Sequence, residues 1–460
     1  MIVALVVSCA FFMETFTGTV ITTALPAMAQ SFGSDPVRLS LGVTAYMLSL
    51  AIFIPASGWV ADRYGARTVF CSAIAVFTLA SVLCGLSNDL FQLVSARVVQ
   101  GIGGAMMVPV GRLVLLRSVE RSDYVRAMAY LVVPAFIGPV VGPPIGGFIT
   151  TYVSWRWVFF LNIPIGLIGM VLVLLVIKNY REPHRPPLDW LGFLLTGVSL
   201  ACILYSLDLA AHGTMRETIA CLALLSFGLA IGVVAVLHAR RHPYPLIALS
   251  LFRLPTFAIG IWGGLFFRVG AGSVPFLLPV FLQIGLGMTA FVSGLLILAD
   301  AIGNIAMNVV APAVLRRVGF RRVLLYNGVI SAGAIAGVAL LGAATPMAVI
   351  FAAFLCAGFM RSLQYNALST IQYAEIAARD MSAATSFASM AQQLCSGAGI
   401  AVGAVLVQVA LGLRGAGPDA LGADDMRFAF VAAGSFALIS IVLFRRLSAD
   451  AGAEVSGHRS

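Results

Sequence analysis

Long apolar stretches alternate with short polar segments along the whole 460-residue chain. A helix needs roughly 20 mostly apolar residues to cross the hydrocarbon core of a bilayer, and fourteen stretches reach that length. We number them spans one to fourteen, and they predict an all-α integral membrane protein with 14 transmembrane helices. Their approximate bounds are 2–26, 40–61, 68–87, 91–115, 127–150, 157–177, 190–209, 218–237, 256–283, 291–313, 322–342, 346–370, 386–411 and 427–444.

The composition agrees with this pattern, since 60% of the residues are hydrophobic and only 10% are charged. An ordinary soluble domain carries about 25% charged residues. The core of a soluble protein could not bury the excess of apolar residues in this chain. The net charge of +10 could suggest nucleic acid, but the basic residues are scattered between apolar runs. We therefore expect the lipid bilayer, and no nucleic acid, as a partner. The seven cysteines lie singly and form no metal-binding motif, so we expect no metal and no cofactor.

The distribution of lysine and arginine indicates the orientation, because these residues accumulate in short cytoplasmic loops. With the N-terminus inside, 19 of the 28 basic residues fall on the cytoplasmic side, 5 fall outside and 4 lie within spans. The sequence thus predicts an inner-membrane protein with both termini in the cytoplasm. It leaves the oligomeric state open and is compatible with a monomer.

A short charged motif occurs twice, at 58–67 between spans two and three and at 312–321 between spans ten and eleven. When Gly65 is laid on Gly319, an arginine stands two residues before and two residues after the glycine in both segments. Internal repetition is typical of secondary transporters, whose substrate site lies near mid-membrane between the repeats. We expect two pseudo-symmetric six-helix bundles at 1–180 and 254–446, a linker with two extra transmembrane helices at 181–253, and a disordered tail at 447–460.

Three motifs in the first half place charged, small or proline residues where uniformly apolar helices would be expected. A glycine in the loop motif permits a tight turn, and its aspartate can pair with an arginine or cap a helix. Because the loop is polar and remote from mid-membrane, we expect it to act as a conformational latch. Glycines four apart in span five form a ridge that another helix can approach closely. The motifs are Gly58, Asp62, Arg63, Gly65 and Arg67 in the loop; Arg97, Gln100 and Gly101 in span four; and Gly138, Pro139, Gly142, Pro143, Gly146 and Gly147 in span five.

Together these motifs resemble the loop, span-four and antiporter signatures of the major facilitator superfamily. The count of 14 spans, Ala24-Leu25-Pro26 at the end of span one, and the stretch 155–164 at the start of span six resemble its drug:proton antiporter branch. The resemblance covers nearly the whole chain. It implies a major-facilitator fold and a transporter rather than an enzyme. It further implies export of a small, lipophilic or drug-like substrate by proton antiport and alternating access.

Ionisable side chains within spans are costly and usually face a cavity. The branch carries an aspartate in span one where this chain has Thr17, and the nearest acid is Glu14. We predict Glu14 as the proton carrier and Asp300 as the second candidate, because a carboxyl group in apolar surroundings exchanges a proton near neutral pH. A purely structural role is the alternative for each arginine. The residues expected to line the substrate cavity are Arg112, Arg268, Arg361 and Tyr365.

Two other functions remain open. A proton symporter that imports a small anionic metabolite is suggested by four arginines against two acids within the spans. A membrane-embedded enzyme is the more distant alternative, since the chain has no H-E-x-x-H, G-x-S-x-G or Cys/His cluster. An ATP-driven pump in a single chain is excluded by the lack of a phosphate-binding loop motif.

Overall fold

The computed structural model describes residues 2–32, 36–179, 187–212, 215–288, 290–342, 344–415 and 422–456. Within these ranges every regular element is helical, and 13 segments are long and apolar enough to cross a membrane. The fifth predicted span is also helical, at Tyr124–Tyr152, although several of its side chains lie outside the described part. The all-α membrane fold expected from the sequence is thereby confirmed.

Spans one to six form the first half of the molecule. Span two contains a short 3-10 segment at a proline. At the start of span four, the side chain of Asp89 accepts a hydrogen bond from the Gln92 amide at 2.8 Å. That bond satisfies one of the free amides at a helix start. The helices are Ile2–Phe32 (one), Pro36–Phe53 with Ser57–Tyr64 (two), Ala66–Leu86 (three), Leu90–Ser118 (four), Tyr124–Tyr152 (five), and Trp157–Phe160 with Asn162–Val176 (six).

Spans nine to fourteen form the second half, and spans seven and eight lie between the halves in sequence. Span nine is interrupted at Ser273, and span eleven contains a π-helical turn. The helices are Trp190–His212 (seven), Met215–Arg241 (eight), Pro255–Gly272 with Val274–Val280 (nine), Ala290–Val318 (ten), Phe320–Arg322 with Val323–Asn327 and Gly328–Gly337 (eleven), Met347–Ile371 (twelve), Met381–Leu413 (thirteen), and Ala423–Leu438 with Ser440–Phe444 (fourteen).

Gly65 and Gly319 make the same turn in the two halves. Each has a positive φ, 96° at Gly65 and 82° at Gly319, which glycine adopts without steric penalty. Each amide donates to the carbonyl four residues earlier, and each carbonyl accepts from the amide four residues later, at 2.9 to 3.2 Å. This shared geometry supports the internal repeat that the sequence indicates.

The halves meet along two seams. In one seam the second segment of span two and span four pack against span thirteen; in the other, span five packs against span ten. Span seven packs against both spans two and thirteen of the first seam. The rings of Phe53 and Phe193 lie 5.7 Å apart there, and Leu204 approaches the backbone of Gly397. Span eight packs on span seven, where the Ser199 hydroxyl donates to the Gly228 carbonyl at 2.7 Å.

The tail differs from the expected disorder at residues 447–456. Leu447, Ala451 and Val455 are all buried. The segment consists of turns followed by a short helix at Ala453–Ser456, and these three side chains pack back on the protein. Glu454 lies 3.6 Å from Arg121, which follows span four. Residues 457–460 lie outside the described part of the chain.

Candidate functional site

A cavity of about 390 Å³ lies between the two halves and is lined by both. Four of the ionisable side chains singled out in the sequence meet at this one cavity. The lining also includes apolar side chains and a group of serines and glutamines from span thirteen. The polar and charged lining residues are Glu14 and Thr15 from span one, Arg112 from span four, Arg268 from span nine, Arg361, Tyr365 and Ser369 from span twelve, and Ser389, Gln392, Gln393 and Ser396 from span thirteen.

Glu14 projects into this cavity from the middle of span one. Its Oε2 atom is buried and has no hydrogen-bond partner among the described residues. The charged side chain that acts on it electrostatically is Arg112. A carboxylate is costly in such a place unless it is paired, so Glu14 can hold either a proton or a cationic group.

Arg112 connects the two halves beneath the cavity. Its Nη2 donates to Oε1 of Gln392 at 2.6 Å, and its Nη1 donates to the Ser389 hydroxyl at 3.4 Å. The guanidinium also lies 5.8 Å from the ring centre of Phe11. Both acceptors are neutral, so these contacts leave the positive charge of Arg112 uncompensated.

Arg268 and Arg361 are the two arginines that the second half contributes. Arg361 forms an ion pair with Asp300 of span ten. Arg268 is only 4% exposed, and its Nε is buried without a hydrogen-bond partner in the described part of the chain. Tyr365 of span twelve packs against span nine, where the centre of its ring lies 5.6 Å from that of Phe267. Asp300 itself is not among the residues that line the central cavity; it reaches the cavity only through Arg361.

The span-four motif lies inside the first half and away from the cavity. Arg97 is completely buried, stacks 4.4 Å from the centre of the Tyr46 ring, and donates to the Gly42 carbonyl at 3.2 Å. Its Nη1 donates to Oε1 of Gln100 at 2.6 Å. A side chain at Gly101 would lie 2.7 Å from the Tyr46 carbonyl, so this glycine permits close packing of spans two and four.

Thr17 is connected to Gln100 of the span-four motif by a buried chain of hydrogen bonds. Its hydroxyl donates to Asn162 at 3.1 Å, Asn162 donates to Ser81 at 3.3 Å, and Gln100 donates to Ser81 at 2.7 Å. Thr17 and Glu14 therefore have different surroundings, although they lie three residues apart in the same helix. Glu14 lines the cavity, whereas Thr17 points into the first half towards span six.

The span-five ridge packs on span one. A Cβ at Gly138 would lie 2.3 Å from the Thr15 hydroxyl, and one at Gly142 would lie 2.5 Å from the Thr19 hydroxyl. These glycines therefore let spans one and five approach closely beside Glu14. Gly146 is buried in the same helix, and Gly147 has open space beside it. The side chains of Pro139 and Pro143 lie outside the described part.

The loop motif bridges the halves at the predicted cytoplasmic side, and its aspartate pairs with an arginine, as the sequence indicated. Asp62 accepts a hydrogen bond from Arg117 at 3.2 Å and another from the Ser382 hydroxyl at the start of span thirteen. Arg63 instead stacks on Trp59, 5.3 Å from the ring centre, and is exposed. The interaction between the halves thus involves Asp62 and span thirteen.

Close packing reinforces this contact. The hydroxyls of Ser57 and Ser386 lie 2.9 Å apart, and a Cβ at Gly58 would lie 2.7 Å from the Ser382 carbonyl. Gly65 supplies the turn described above, and Arg67 is half-buried at the start of span three.

Sequence reasoning missed the polar face of span thirteen. Its members recur at intervals of four, three, four and three residues, which places them on one side of a helix. This spacing is the sequence signal for the polar face. Serine and glutamine are uncharged, so a search for ionisable residues within spans does not find them. The face consists of Ser382, Ser386, Ser389, Gln393 and Ser396.

A second polar cluster, also missed, joins the extra helices. Asp189 accepts hydrogen bonds from the Gly192 amide at 2.8 Å, from His238 at 2.8 Å and from the Leu246 amide at 3.3 Å. His242 lies beside this group, and ligand atoms of the three side chains fall within 4.8 Å of one another. Because the carboxylate is already occupied by three donors, the cluster is explained as a cap that holds span seven to span eight.

A second cavity, of about 440 Å³, lies at the predicted cytoplasmic ends of spans five and ten. It is lined by polar and basic side chains from both halves. Its lining includes Ser122, Asp123, Arg126, Tyr130, Asn308 and Arg316.

Comparisons with known proteins agree with this architecture. A model of a protein family described as Major Facilitator Superfamily matches residues 7–400. The chain is 38% identical over 407 residues to proteins named "Putative multidrug resistance protein MdtD" from Shigella sonnei (strain Ss046) and Escherichia coli (strain SMS-3-5 / SECEC), covering 87% of this chain and 85% of each relative.

Two solved structures share the fold. One is the human organic anion transporter MFSD10 (TETRAN), with a TM-score of 0.67, 14% identity, and coverage of 96% of this chain and 99% of that chain. The other is the proton:xylose symporter XylE bound to 6-bromo-6-deoxy-D-glucose, with a TM-score of 0.67, 14% identity, and coverage of 99% and 98%. At this identity the likeness concerns the fold alone.

Proposed function

Because the chain belongs to the major facilitator superfamily and is a multi-pass secondary transporter rather than an enzyme, we propose that it is a proton-coupled antiporter. It exports small organic compounds across the inner membrane by alternating access, with both termini in the cytoplasm. The names of its relatives, which refer to multidrug resistance, support drug-like compounds as the substrate class.

The observation that carries this proposal is Glu14, which lines a cavity bounded by both halves and has a buried oxygen without a partner in the described part of the chain. A transporter that alternates access needs its ligand site between two bodies that can rock against each other. A carboxyl group at that site can bind either a proton or the substrate. Asp300 is the weaker proton carrier, because its charge is already balanced by Arg361.

The bridges at the predicted cytoplasmic side support alternating access. Arg112, Asp62 and Ser57 each contact span thirteen through neutral serine or glutamine side chains. Water can replace such partners at little energetic cost when the halves separate. Asp62 therefore serves as a latch for one conformation and takes no part in binding the substrate.

Transport in everted membrane vesicles tests the proposal. A growth screen with toxic compounds, with and without the gene, first selects a fluorescent substrate. Vesicles with an acidified lumen should then accumulate that substrate. Glu14→Gln should reduce proton-driven accumulation about tenfold or more, the size expected when a group essential for coupling is removed. Asp300→Asn should reduce it less, and the exposed Asp450→Asn should match the wild type.

Full proton-driven accumulation by Glu14→Gln would remove this residue from the mechanism. The alternative, proton symport of a small anion into the cell, is favoured by the uncompensated charges of Arg112 and Arg268. It predicts the opposite direction, since everted vesicles would then extrude the substrate together with protons.

A further inference from the structure

We propose that the transported compound is an amphipathic zwitterion, with a carboxylate or sulfonate that pairs with Arg268 and an ammonium group that pairs with Glu14. This assignment rests on the proposed function, because it concerns the ligand of the same cavity. It is more specific than the drug-like compound proposed above, and it differs from the small anion of the symport alternative.

Arg268 provides the argument for the anionic group. The residue is 4% exposed and lines the cavity, its Nε is buried, and its guanidinium has no hydrogen bond or ion pair among the described residues. Burying a charge without a partner is strongly unfavourable, and a guanidinium matches the two oxygens of a carboxylate or sulfonate. An anionic group on the ligand would complete this site.

Glu14 provides the argument for the cationic group. It lies in the opposite half, lines the same cavity, and has a buried oxygen without a partner in the described ranges. Arg361 is balanced by Asp300, and Arg112, whose charge is not balanced, is held across the seam by neutral side chains of span thirteen. Glu14 and Arg268, one from each half, are the charged lining residues that keep a buried polar atom without a hydrogen-bond partner in the described chain.

The cavity also has an apolar part, which favours an aromatic or aliphatic group on the ligand. A cavity of about 390 Å³ is in the range that binds small organic ligands. Apolar surroundings would strengthen both proposed ion pairs. The apolar lining residues are Phe11, Ile54, Val108, Met128, Leu131 and Ala271.

The proposed antiport gives a second reason for an ammonium group at Glu14. An ammonium and a proton compete for one carboxylate, so binding of the zwitterion releases a proton, as exchange requires. An anion alone would favour the protonated carboxyl group and bind together with a proton, which corresponds to symport. Because such coupling is reciprocal, the sign of proton exchange on binding separates the two cases.

Calorimetric titration of the purified protein tests this assignment with three matched ligands. Naphthylalanine is the zwitterion, its methyl ester is the cation, and its N-acetyl derivative is the anion. Titrations in two buffers of different ionisation enthalpy give the number of protons exchanged. We expect naphthylalanine to bind about tenfold or more tightly than either derivative, as for a charged group left unpaired, and to release protons.

Variants assign each charge to its residue. Arg268→Gln should weaken binding of naphthylalanine about tenfold and leave the ester unchanged, while Arg268→Lys should retain part of the affinity. Glu14→Gln should abolish proton release and leave the N-acetyl derivative unchanged. The exposed Arg446→Gln is the matched control, and size-exclusion profiles verify folding.

Several outcomes would overturn the assignment. They are equal binding of ester and zwitterion with no effect of Arg268→Gln, tighter binding of the N-acetyl derivative with proton uptake, and no binding of naphthylalanine by the folded wild type. The proposed function can fail separately. If binding follows the expected charge pattern but everted vesicles show no proton-driven transport, antiport is wrong while the ligand assignment stands.

Discussion

At the scale of single residues, Arg97 is a charged residue whose contacts indicate a purely structural role. Its bonds to Gly42 and Gln100 use the planar guanidinium with its several donors. A lysine has a single nitrogen in place of the Nε and Nη1 that reach these two acceptors, and each buried group left unpaired costs about 1–3 kcal/mol. We expect Arg97→Lys to lower the thermal unfolding midpoint while the ligand dissociation constant stays within about twofold, as for independent sites. Normal stability with a large loss of affinity would instead place Arg97 in the ligand site.

At the scale of elements, the two glycine turns offer a matched comparison. Gly65→Ala and Gly319→Ala both force a side chain into a backbone region that only glycine adopts readily, at about 1–3 kcal/mol. Gly65→Ala should be worse, because its Cβ would lie 2.3 Å from Oδ1 of Asn179. Gly333→Ala, with open space in a helix interior, is the control and should not destabilise the protein. Thermal unfolding of the purified variants measures the order, and equal midpoints for Gly65→Ala and Gly333→Ala would contradict it.

The Asp189 cap gives the extra helices a dependence on pH. Burial would raise the pKa of Asp189, but hydrogen bonds from Gly192, His238 and Leu246 outweigh it and hold the pKa below its usual value. Since the folded pKa lies below the unfolded value of about 3.9, the stabilisation is present above about pH 4 and disappears as the pH falls through the folded pKa.

Asp189→Ala should therefore destabilise the protein by about 1–2 kcal/mol near neutral pH, the usual effect of losing a helix cap. The difference in the free energy of unfolding between wild type and variant should shrink as the pH falls below about 4, because the carboxylate of Asp189 in the wild type becomes protonated. Thermal unfolding of both proteins across this pH range measures it. A difference that does not change with pH would show that the charge of Asp189 contributes nothing.

At the scale of the whole molecule, movement of the halves requires the first seam to open. The hydroxyls of Ser57 and Ser386 lie 2.9 Å apart across it, close enough for a cysteine pair to form a disulfide after a small adjustment. We expect oxidised Ser57→Cys/Ser386→Cys protein to lose transport and to regain it on reduction, because the latch could no longer release. Each single cysteine variant is the control. Normal transport by fully cross-linked protein would show that this seam does not open.

The spans and the repeat could be predicted from the sequence because both depend on local patterns. Apolar length defines a span, and Gly65 and Gly319 require glycine for reasons of backbone geometry that operate within a few residues. The cavity residues Glu14, Arg112 and Arg268 could also be named, since a charge inside a span must face something other than lipid.

Partners across the halves could not be predicted in the same way. Asp62 contacts Ser382, 320 residues away, and only the packing of the halves brings them together. Thr17 illustrates the same limit. The spacing along a helix gives the direction of a side chain around the helix axis, but it does not identify the residue that the side chain contacts. Thr17 donates a hydrogen bond to Asn162 of span six and therefore points into the first half instead of into the cavity.

Span seven has a consequence for compounds that dissolve in the membrane. It lies against spans two and thirteen and separates the first seam from the surrounding lipid. The second seam, between spans five and ten, has no comparable helix in the described chain and contains the cavity near Arg126 and Arg316. A compound partitioned into the inner leaflet would therefore approach from one side only, with its polar end at the depth of the phospholipid headgroups. Lateral diffusion in that leaflet would then supply the transporter at a concentration set by the partition coefficient of the compound.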